Sequence, residues 1–357
     1  MLKSVKRSVL AALHSAGLFD RLRVSRWRQN RLAILCYHGI SLDDEHVWNP
    51  SLYLSPAEFR ARMELLRLHR FAVLALPDAI ERLRNGSLPP AAVAITFDDG
   101  TRDFHARALP ILRAFGFPAT VYLRTDYCGS SKTAVNPMLS YLFWKRRDAA
   151  FDFSNLIGCH VNLVTHQGRT AAWRSALDFI RLRNLSDDEQ QAFVETLAGR
   201  LGLDYAALRA RGLLQIMPPG EVAEAFTSGM NIELHTHSHR SPLDRDLFYA
   251  EIEENRRQIE RITGLQPRHF CYPSGVYRPE FLPWLAALNV ISATTCEAAL
   301  ASRRTHSLLL PRFIDNGFQS ALEFESWLTG ASALLPRNGL YNWRKRRWQN
   351  QIQPLTQ

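Results

Sequence analysis

The stretch "VAITFDDGTRD", residues 93–103, joins an apolar run directly to two aspartates and a glycine. An apolar run of this length is typical of a strand in a mainly parallel sheet. Two adjacent carboxylates in a partly buried place repel each other unless a cation or a shared proton lies between them. The partner of Asp98 and Asp99 must therefore come from other parts of the chain.

Apolar runs recur along the chain with helical segments between them, which is typical of repeated βα units. Helix starts are marked by capping boxes, as at Ser55 with Glu58 and at Ser320 with Glu323. At 357 residues the chain has a common length for a single α/β barrel. The predicted strands are residues 32–37, 71–76, 93–97, 118–123, 231–234, 269–272, 290–295 and 308–313.

The alternation of strands and helices is interrupted between residues 127 and 226. We predict a barrel over residues 31–330 with a mainly helical insertion subdomain at 127–226. A basic amphipathic helix is expected within residues 1–30 and a basic tail at 331–357.

Four of the predicted strands end in chemically active residues. The carboxyl ends of barrel strands form one face of the molecule, where active sites lie. Four such endings on one face therefore predict a site. They are His38–Gly39, Asp98–Gly100, His235–His239 and Pro273–Gly275.

The segment "HTHSH", residues 235–239, is a candidate metal-binding element. If the chain turns helical after residue 234, His235 and His239 share one face and His237 points elsewhere. One aspartate would complete a site with open positions, which suits Zn²⁺ first and Co²⁺, Ni²⁺ or Fe²⁺ as alternatives. The other aspartate would take a proton from a water activated by the cation.

In this order, "TFDDG", "HTHSH" and "YPSG" resemble the first three motifs of the polysaccharide deacetylase family, carbohydrate esterase family 4, with the NodB homology fold. The resemblance extends to "LCYHGI", "SPAEFRARMELLRLHRFAVLAL" and "LLLPRF", so it spans about residues 31–330. It is greatest to the branch that deacetylates exopolysaccharides and poly-N-acetylglucosamine. It implies a distorted (β/α)₇ TIM-like barrel that hydrolyses N-acetyl groups on a polysaccharide or a lipid-linked glycan, releasing acetate and a free amine.

The resemblance also implies roles for individual residues. Asp98 corresponds to the general base, and the divalent metal would be held by Asp99, His235 and His239. A further segment corresponds to the wall of the substrate groove that places the acetyl group, and it comprises Tyr272, Pro273 and Gly275.

Two departures from the family pattern concern the catalytic groups. Many members have an arginine two residues before the proline of the third motif, where it orients the base; this chain has Cys271 there. The late motif that supplies the acid histidine is also missing after residue 296. In the exopolysaccharide branch the histidine of the early "YH" element takes that part, so His38 is the candidate general acid and His306 is the alternative.

The positive charge lies at the two ends of the chain. Residues 1–31 carry +7 and residues 337–357 carry +5, which leaves −2 of the formal +10 for the body between them. Basic ends with Trp343 and Trp348 fit a peripheral contact with an anionic membrane, a contact with nucleic acid, or a solvated tail without a partner. The nearly neutral body argues against nucleic acid as the main partner.

Five cysteines without a C-x-x-C pair favour a reducing compartment. We therefore expect a cytoplasmic protein, peripheral at the inner face of the membrane. A secreted or periplasmic protein is the competing interpretation, because a basic start precedes an apolar segment. Against it, His14 interrupts that segment and no small-residue cleavage site follows.

Two further functions remain open at this point. One keeps the metal site and hydrolyses an O-acetyl sugar or a non-sugar amide. The other is a catalytically silent carbohydrate-binding module. The four residues Asp98, Asp99, His235 and His239 argue against a silent module, since binding a sugar does not need them.

Overall fold

A parallel sheet lies at the centre of the structure, a computed structural model that describes residues 2–334. The predicted tail beyond residue 334, with both of its tryptophans, lies outside the described residues. The strands are β1 (Arg31–Tyr37), β2 (Gly39–Ile40), β3 (Tyr53–Leu54), β4 (Ala72–Leu74), β5 (Ala92–Phe97), β6 (Thr120–Leu123), β7 (Ala150–Phe153), β8 (Cys159–Asn162), β9 (Asn231–Leu234), β10 (His269–Cys271), β11 (Ser292–Thr294), β12 (Ala301–Ser302) and β13 (Phe313–Ile314).

Helices connect most of the strands, and several begin where the sequence predicts a cap. At Ser55 and at Ser320 the serine side chain accepts the amide of the glutamate three residues later, and both capping boxes are complete. The helices are α1 (Leu2–Ser15), α2 (Leu18–Arg23), α3 (Arg26–Gln29), α4 (Glu45–Trp48), α5 (Pro56–Leu68), α6 (Leu76–Asn85), α7 (Leu109–Phe115), α8 (Val135–Lys145), α9 (Ser154–Ile157), α10 (His166–Arg183), α11 (Asp187–Arg200), α12 (Tyr205–Ala210), α13 (Pro219–Thr227), α14 (Arg245–Thr263), α15 (Phe281–Ala287), α16 (Ala321–Thr329) and α17 (Ala331–Leu334).

The parallel strands follow the order β11-β10-β9-β6-β5-β1, so each neighbour in the sheet is reached by a crossover connection. All of these pairs are parallel, whereas the short β12 adds to β1 in the antiparallel sense. Every residue of β5 is buried, because helices cover one face and the barrel interior the other.

Residues 310–314 close the sheet into a ring. Leu310 forms a parallel bridge with Thr294 of β11, and Phe313 of β13 pairs with Leu35 of β1. The six parallel strands and this closing segment together form the wall of the barrel, which confirms the predicted distorted (β/α)₇ architecture. The expected strand over 308–313 is wrong in extent, because Pro311 has no amide for a ladder and regular pairing starts only at Phe313.

The insertion has a hydrophobic core separate from that of the barrel. Its buried cluster draws on α8, α10, α11 and α12, and among the described residues Tyr53 of β3 is the one buried member from outside the insertion. The helix α13 belongs elsewhere, since Val222 and Ala225 are buried in the barrel core. The chain returns from the insertion beside the "DDG" segment, where the Met217 amide donates to the Gly100 carbonyl over 3.0 Å.

The N-terminal helices pack on the end of the barrel that carries α16 and α17. Leu10 and Phe19 are buried in one small cluster with Ala331. Arg28 is fully buried and donates to the carbonyls of Leu328 and Ala92. Among residues 2–334 there is no helix of the length and apolarity that crossing a membrane requires.

Candidate active site

Asp98 lies at the carboxyl end of β5 and is almost completely buried. Arg312 lies beside it and donates to both carboxylate oxygens, at 2.6 Å to Oδ1 and 2.8 Å to Oδ2. Burial alone would raise the pKa of Asp98, but the Arg312 guanidinium lowers it well below its usual range. The carboxylate is therefore ionised and fixed in orientation, as a general base needs to be.

Arg312 supplies the cation that the third motif lacks. Its Nη2 lies 3.0 Å from the Cys271 sulfur, so the guanidinium of the last strand segment reaches the place beside the cysteine. Arg312 is fully buried and also donates to the Thr295 carbonyl and the Thr96 hydroxyl. Sequence reasoning missed this residue, although it lies within the quoted segment "LLLPRF".

Asp99 faces the two histidines of the second motif. Its Oδ1 lies 3.4 Å from Nε2 of His235 and 3.3 Å from Nε2 of His239. Burial alone would raise the pKa of Asp99, but His239 and His235 together lower it well below its usual range. Burial lowers the pKa of His239 to about 4, so its imidazole is neutral and its lone pair is free to bind a cation.

The turn that carries the histidines differs from the expected helix. Residues 235–244 are not helical, and α14 begins only at Arg245. Thr236 and His239 have φ values of 62° and 59°, and these left-handed residues fold the segment back so that His235 and His239 meet. His237 turns away and its Nδ1 lies 3.0 Å from the Thr125 hydroxyl.

Two residues of α14 support this turn, and neither was predicted. The side chain of Asn255 is buried, accepts the His235 amide over 2.9 Å and donates to the Leu123 carbonyl over 2.8 Å. Glu251 accepts the Ser238 amide over 2.7 Å. Strained backbone at a site persists where the surrounding structure holds it in place, and these bonds do so here.

His38 directly follows β1 and lies close to Asp98. Its Nε2 lies 3.8 Å from Oδ2 of Asp98, and its side chain is 21% exposed. The next residue must be glycine, because a Cβ on Gly39 would lie 2.2 Å from the ring of Tyr53. The Ile40 amide donates to Oδ2 of the buried Asp103 side chain over 2.7 Å, which fixes the chain just after His38.

The third motif forms a tight turn over Pro273–Gly275. A Cβ on Gly275 would lie 2.7 Å from the Cys296 Cβ, so only glycine allows this approach. The Tyr272 side chain is buried and its hydroxyl donates to the Leu308 carbonyl over 3.0 Å. The expected contribution of Tyr272 to the groove wall would therefore come from its backbone.

The alternative acid, His306, lies in an exposed turn before Leu308, whose amide donates to the His306 Nδ1 over 3.1 Å. The structure thus places His38, and not His306, in contact with Asp98.

The three predicted metal ligands fit a divalent cation. One ligand atom from each of Asp99, His235 and His239 lies within 4.8 Å of the others. His235 donates its other ring nitrogen, Nδ1, to the Cys271 carbonyl over 2.9 Å. This bond fixes the tautomer that leaves Nε2 free, as is usual for histidines that bind metals.

The chain was compared with models of known protein families. Residues 85–145 and 181–291 match the family model described as polysaccharide deacetylase. The part of the chain that these two ranges cover belongs to this family. Members of the polysaccharide deacetylase family are hydrolases.

Two curated relatives in the polysaccharide deacetylase family have the same name, poly-β-1,6-N-acetyl-D-glucosamine N-deacetylase. The one from Staphylococcus epidermidis is 32% identical over 21% of this chain and 26% of its own length. The one from Escherichia coli K12 is 31% identical over 26% of this chain and 14% of its own length. The chain thus matches about a quarter or less of each relative.

Solved structures of deacetylases share the fold. The Streptococcus pyogenes deacetylase PplD, in complex with acetate, has a TM-score of 0.55 at 18% identity and covers 86% of this chain and 99% of its own. IcaB from Ammonifex degensii has a TM-score of 0.55 at 16% identity, with 84% and 97% covered. At these identities the likeness establishes the architecture alone.

Proposed function

We propose that this protein is a metal-dependent hydrolase that removes N-acetyl groups from a polysaccharide or a lipid-linked glycan. The observation that carries the proposal is the pair of adjacent aspartates with different partners. Asp98 is held by Arg312, and Asp99 faces His235 and His239. One carboxylate is thereby prepared to accept a proton and the other to bind a cation.

Asp98 acts as the general base in this proposal. The Arg312 guanidinium keeps its carboxylate ionised, so Asp98 can accept the proton of the water that attacks the acetyl carbonyl. Asp99, His235 and His239 would hold a divalent cation, Zn²⁺ first among the candidates. A bound cation lowers the pKa of water and polarises a carbonyl oxygen.

His38 acts as the general acid. It stands 3.8 Å from Asp98, and its partial exposure opens it toward the substrate side. A protonated imidazole there can donate to the nitrogen that leaves, so that the C–N bond breaks and acetate and a free amine are released.

The glycan of the named relatives, poly-β-1,6-N-acetylglucosamine, is the first substrate to test. Metal content and acetate release from N-acetylglucosamine oligomers should be measured on the purified protein, beside Asp98→Asn. The matched control is Asp78→Asn, since Asp78 lies on the exposed side of α6 and pairs with Arg82. Acetate release that Asp98→Asn abolishes and Asp78→Asn preserves supports the proposal.

Other results would change the proposed function. Release from O-acetylated sugars alone would replace the N-acetyl substrate, and bound metal without any acetate release would reject both. A chain that binds oligosaccharide without metal would be a binding module.

We also propose a peripheral contact between the basic ends and an anionic membrane at the cytoplasmic face. Among the described residues, Arg21 and Arg26 are exposed, whereas Leu10 and Phe19 pack against the barrel. The contact would therefore be electrostatic rather than an insertion of the apolar face. Salt would weaken it.

Sedimentation with vesicles tests this contact. Binding to phosphatidylglycerol vesicles should fall with salt and with Arg21→Glu/Arg26→Glu, but not with Arg183→Glu, which changes an exposed arginine of the insertion. Equal binding to phosphatidylcholine vesicles, or none to either, would reject it.

A further inference from the structure

Three cysteines surround the Asp98–Arg312 pair, and the proposed reaction uses none of them. The sulfurs of Cys36 and Cys271 each lie 3.5 Å from Oδ2 of Asp98. The sulfur of Cys296 lies 3.8 Å from Nη2 of Arg312. Thiols beside a carboxylate and an imidazole are ligands for soft divalent cations.

Two groups of side chains here have the spacing of metal ligands, and they share Asp98. One comprises Cys36, His38 and Asp98, and the other comprises Asp98, His235 and Cys271. In each group, one ligand atom per residue lies within 4.8 Å of the others.

The second group is the weaker candidate because its members already have other partners. His235 donates Nδ1 to the Cys271 carbonyl and directs Nε2 to Asp99. The Cys271 sulfur also lies 3.0 Å from Nη2 of Arg312, so the sulfur of this group already has a partner.

In the first group, the histidine has fewer hydrogen-bond partners. Nδ1 of His38 is buried and has no hydrogen-bond partner within residues 2–334, while Nε2 faces Asp98. Oδ2 of Asp98 accepts from Nη2 of Arg312 and is contacted by the thiols of Cys36 and Cys271. A cation bound to the Cys36 sulfur would replace the contact between that thiol and Oδ2. The side chain of His38 is 21% exposed whereas Cys36 is buried, so a cation would have to approach this group from the side of His38.

We propose that Cys36, His38 and Asp98 form a second cation site, distinct from that of Asp99, which binds a soft divalent cation such as Cd²⁺ or excess Zn²⁺. Binding forms a bond between the cation and the Cys36 sulfur and releases the thiol proton to water. Hard cations such as Mg²⁺ have little affinity for sulfur and should not bind there.

The site has an inhibitory consequence, which rests on the proposed function. A cation held by His38 and Asp98 occupies the proposed acid and base together. Excess Zn²⁺ or Cd²⁺ should therefore lower acetate release, whereas excess Mg²⁺ should not.

The binding itself is tested without activity. The protein, loaded with one equivalent of Zn²⁺, is titrated with Cd²⁺ while bound Cd²⁺ and the cadmium–thiolate charge-transfer absorbance are followed. We expect additional Cd²⁺ with a thiolate band, and loss of both in Cys36→Ser. The matched control Cys128→Ser should retain them, since that thiol donates to the Met217 carbonyl and belongs to neither group.

Asp99→Ala separates the two sites. It should lose the first equivalent and keep the thiolate band, so failure of the proposed function and failure of this inference are distinguishable. An unchanged band in Cys36→Ser, or no thiolate band in the wild type, would overturn the inference.

A second measurement covers a Cys36 variant that does not fold. The ¹¹³Cd NMR spectrum of the wild-type protein should contain a resonance shifted downfield by sulfur, beside that of the nitrogen and oxygen site. A spectrum that contained only the resonance of the nitrogen and oxygen site would contradict the second site.

Discussion

Arg312 and Asp98 form a buried two-point ion pair, at 2.6 and 2.8 Å, although they are separated by 214 positions in the chain. The pair joins the fifth strand of the chain to the segment that closes the ring. A carboxylate held at both oxygens cannot rotate, and its charge is retained in a place that would otherwise favour protonation.

Removal of the guanidinium should disable the base. Arg312→Leu is expected to reduce turnover on the order of 100-fold, because misplacement of a catalytic group by about 1 Å can cost that much. An unpaired buried carboxylate should also destabilise the protein by about 3–5 kcal/mol. Turnover and chemical denaturation of the same preparation measure the two effects.

Restoring an arginine at the family position gives a direct test of this pairing. In Arg312→Leu, the second change Cys271→Arg should recover part of the lost turnover, since the Cys271 sulfur lies 3.5 Å from the same carboxylate. Cys128→Arg in the same background is the control and should recover nothing. No recovery in a folded double variant would mean that Arg312 acts otherwise than by orienting Asp98.

Substitution of the two aspartates should have different effects on metal binding. Asp99→Ala is expected to abolish metal retention, because it removes the ligand that faces both histidines. Asp98→Asn should keep the metal and lose turnover. Equal loss of metal in both, measured by elemental analysis after desalting, would contradict the assigned roles.

The acid should be His38. His38→Ala is expected to reduce turnover by about 10²–10⁴-fold with the metal still bound, the usual contribution of a general acid. His306→Ala should have little effect, as its imidazole is exposed and bonds to its own turn. The reverse order of the two effects would move the acid role to His306.

Asp103 should make stability depend on pH. Burial raises its pKa from 3.8 to about 7. Between about pH 4 and pH 7 the folded protein holds a proton that the unfolded chain has lost. The free energy of unfolding should therefore fall as the pH rises through this window, by up to about 1.4 kcal/mol per pH unit.

Asp103→Asn should remove this share of the slope in denaturation measured from pH 4 to pH 8. Part of the slope should remain, because burial also raises the pKa of Glu233 to about 7 and of Asp315 to about 6. The control Asp78→Asn changes an exposed acid and should leave the slope as it is. An identical slope in Asp103→Asn would show that Asp103 is ionised in the fold.

The sequence was sufficient for the strands that are mainly apolar. β1 and β5 lie within one residue of where their runs predict them, since burial on both faces leaves a strong local signal. The final strand was placed too early, because an apolar run that contains Pro311 resembles a strand without being able to pair as one.

The site was predictable only where its residues are neighbours in a motif. Asp99 and His239 could be proposed from spacing, but the left-handed turn that brings the histidines together has no periodic signature. Arg312 and Asn255 were missed for a related reason: each reaches the site from a distant element, through contacts that appear only when the ring is closed.

The segment that closes the ring, residues 310–314, also determines at which point of synthesis the site becomes complete. A ribosome releases this chain from its first residue onward, so both aspartates and both histidines emerge long before residue 312. Until the ring closes, Asp98 lacks the guanidinium that holds both of its carboxylate oxygens in place. A growing chain that has already captured a metal would still be inert, and catalysis would begin only when the barrel is finished.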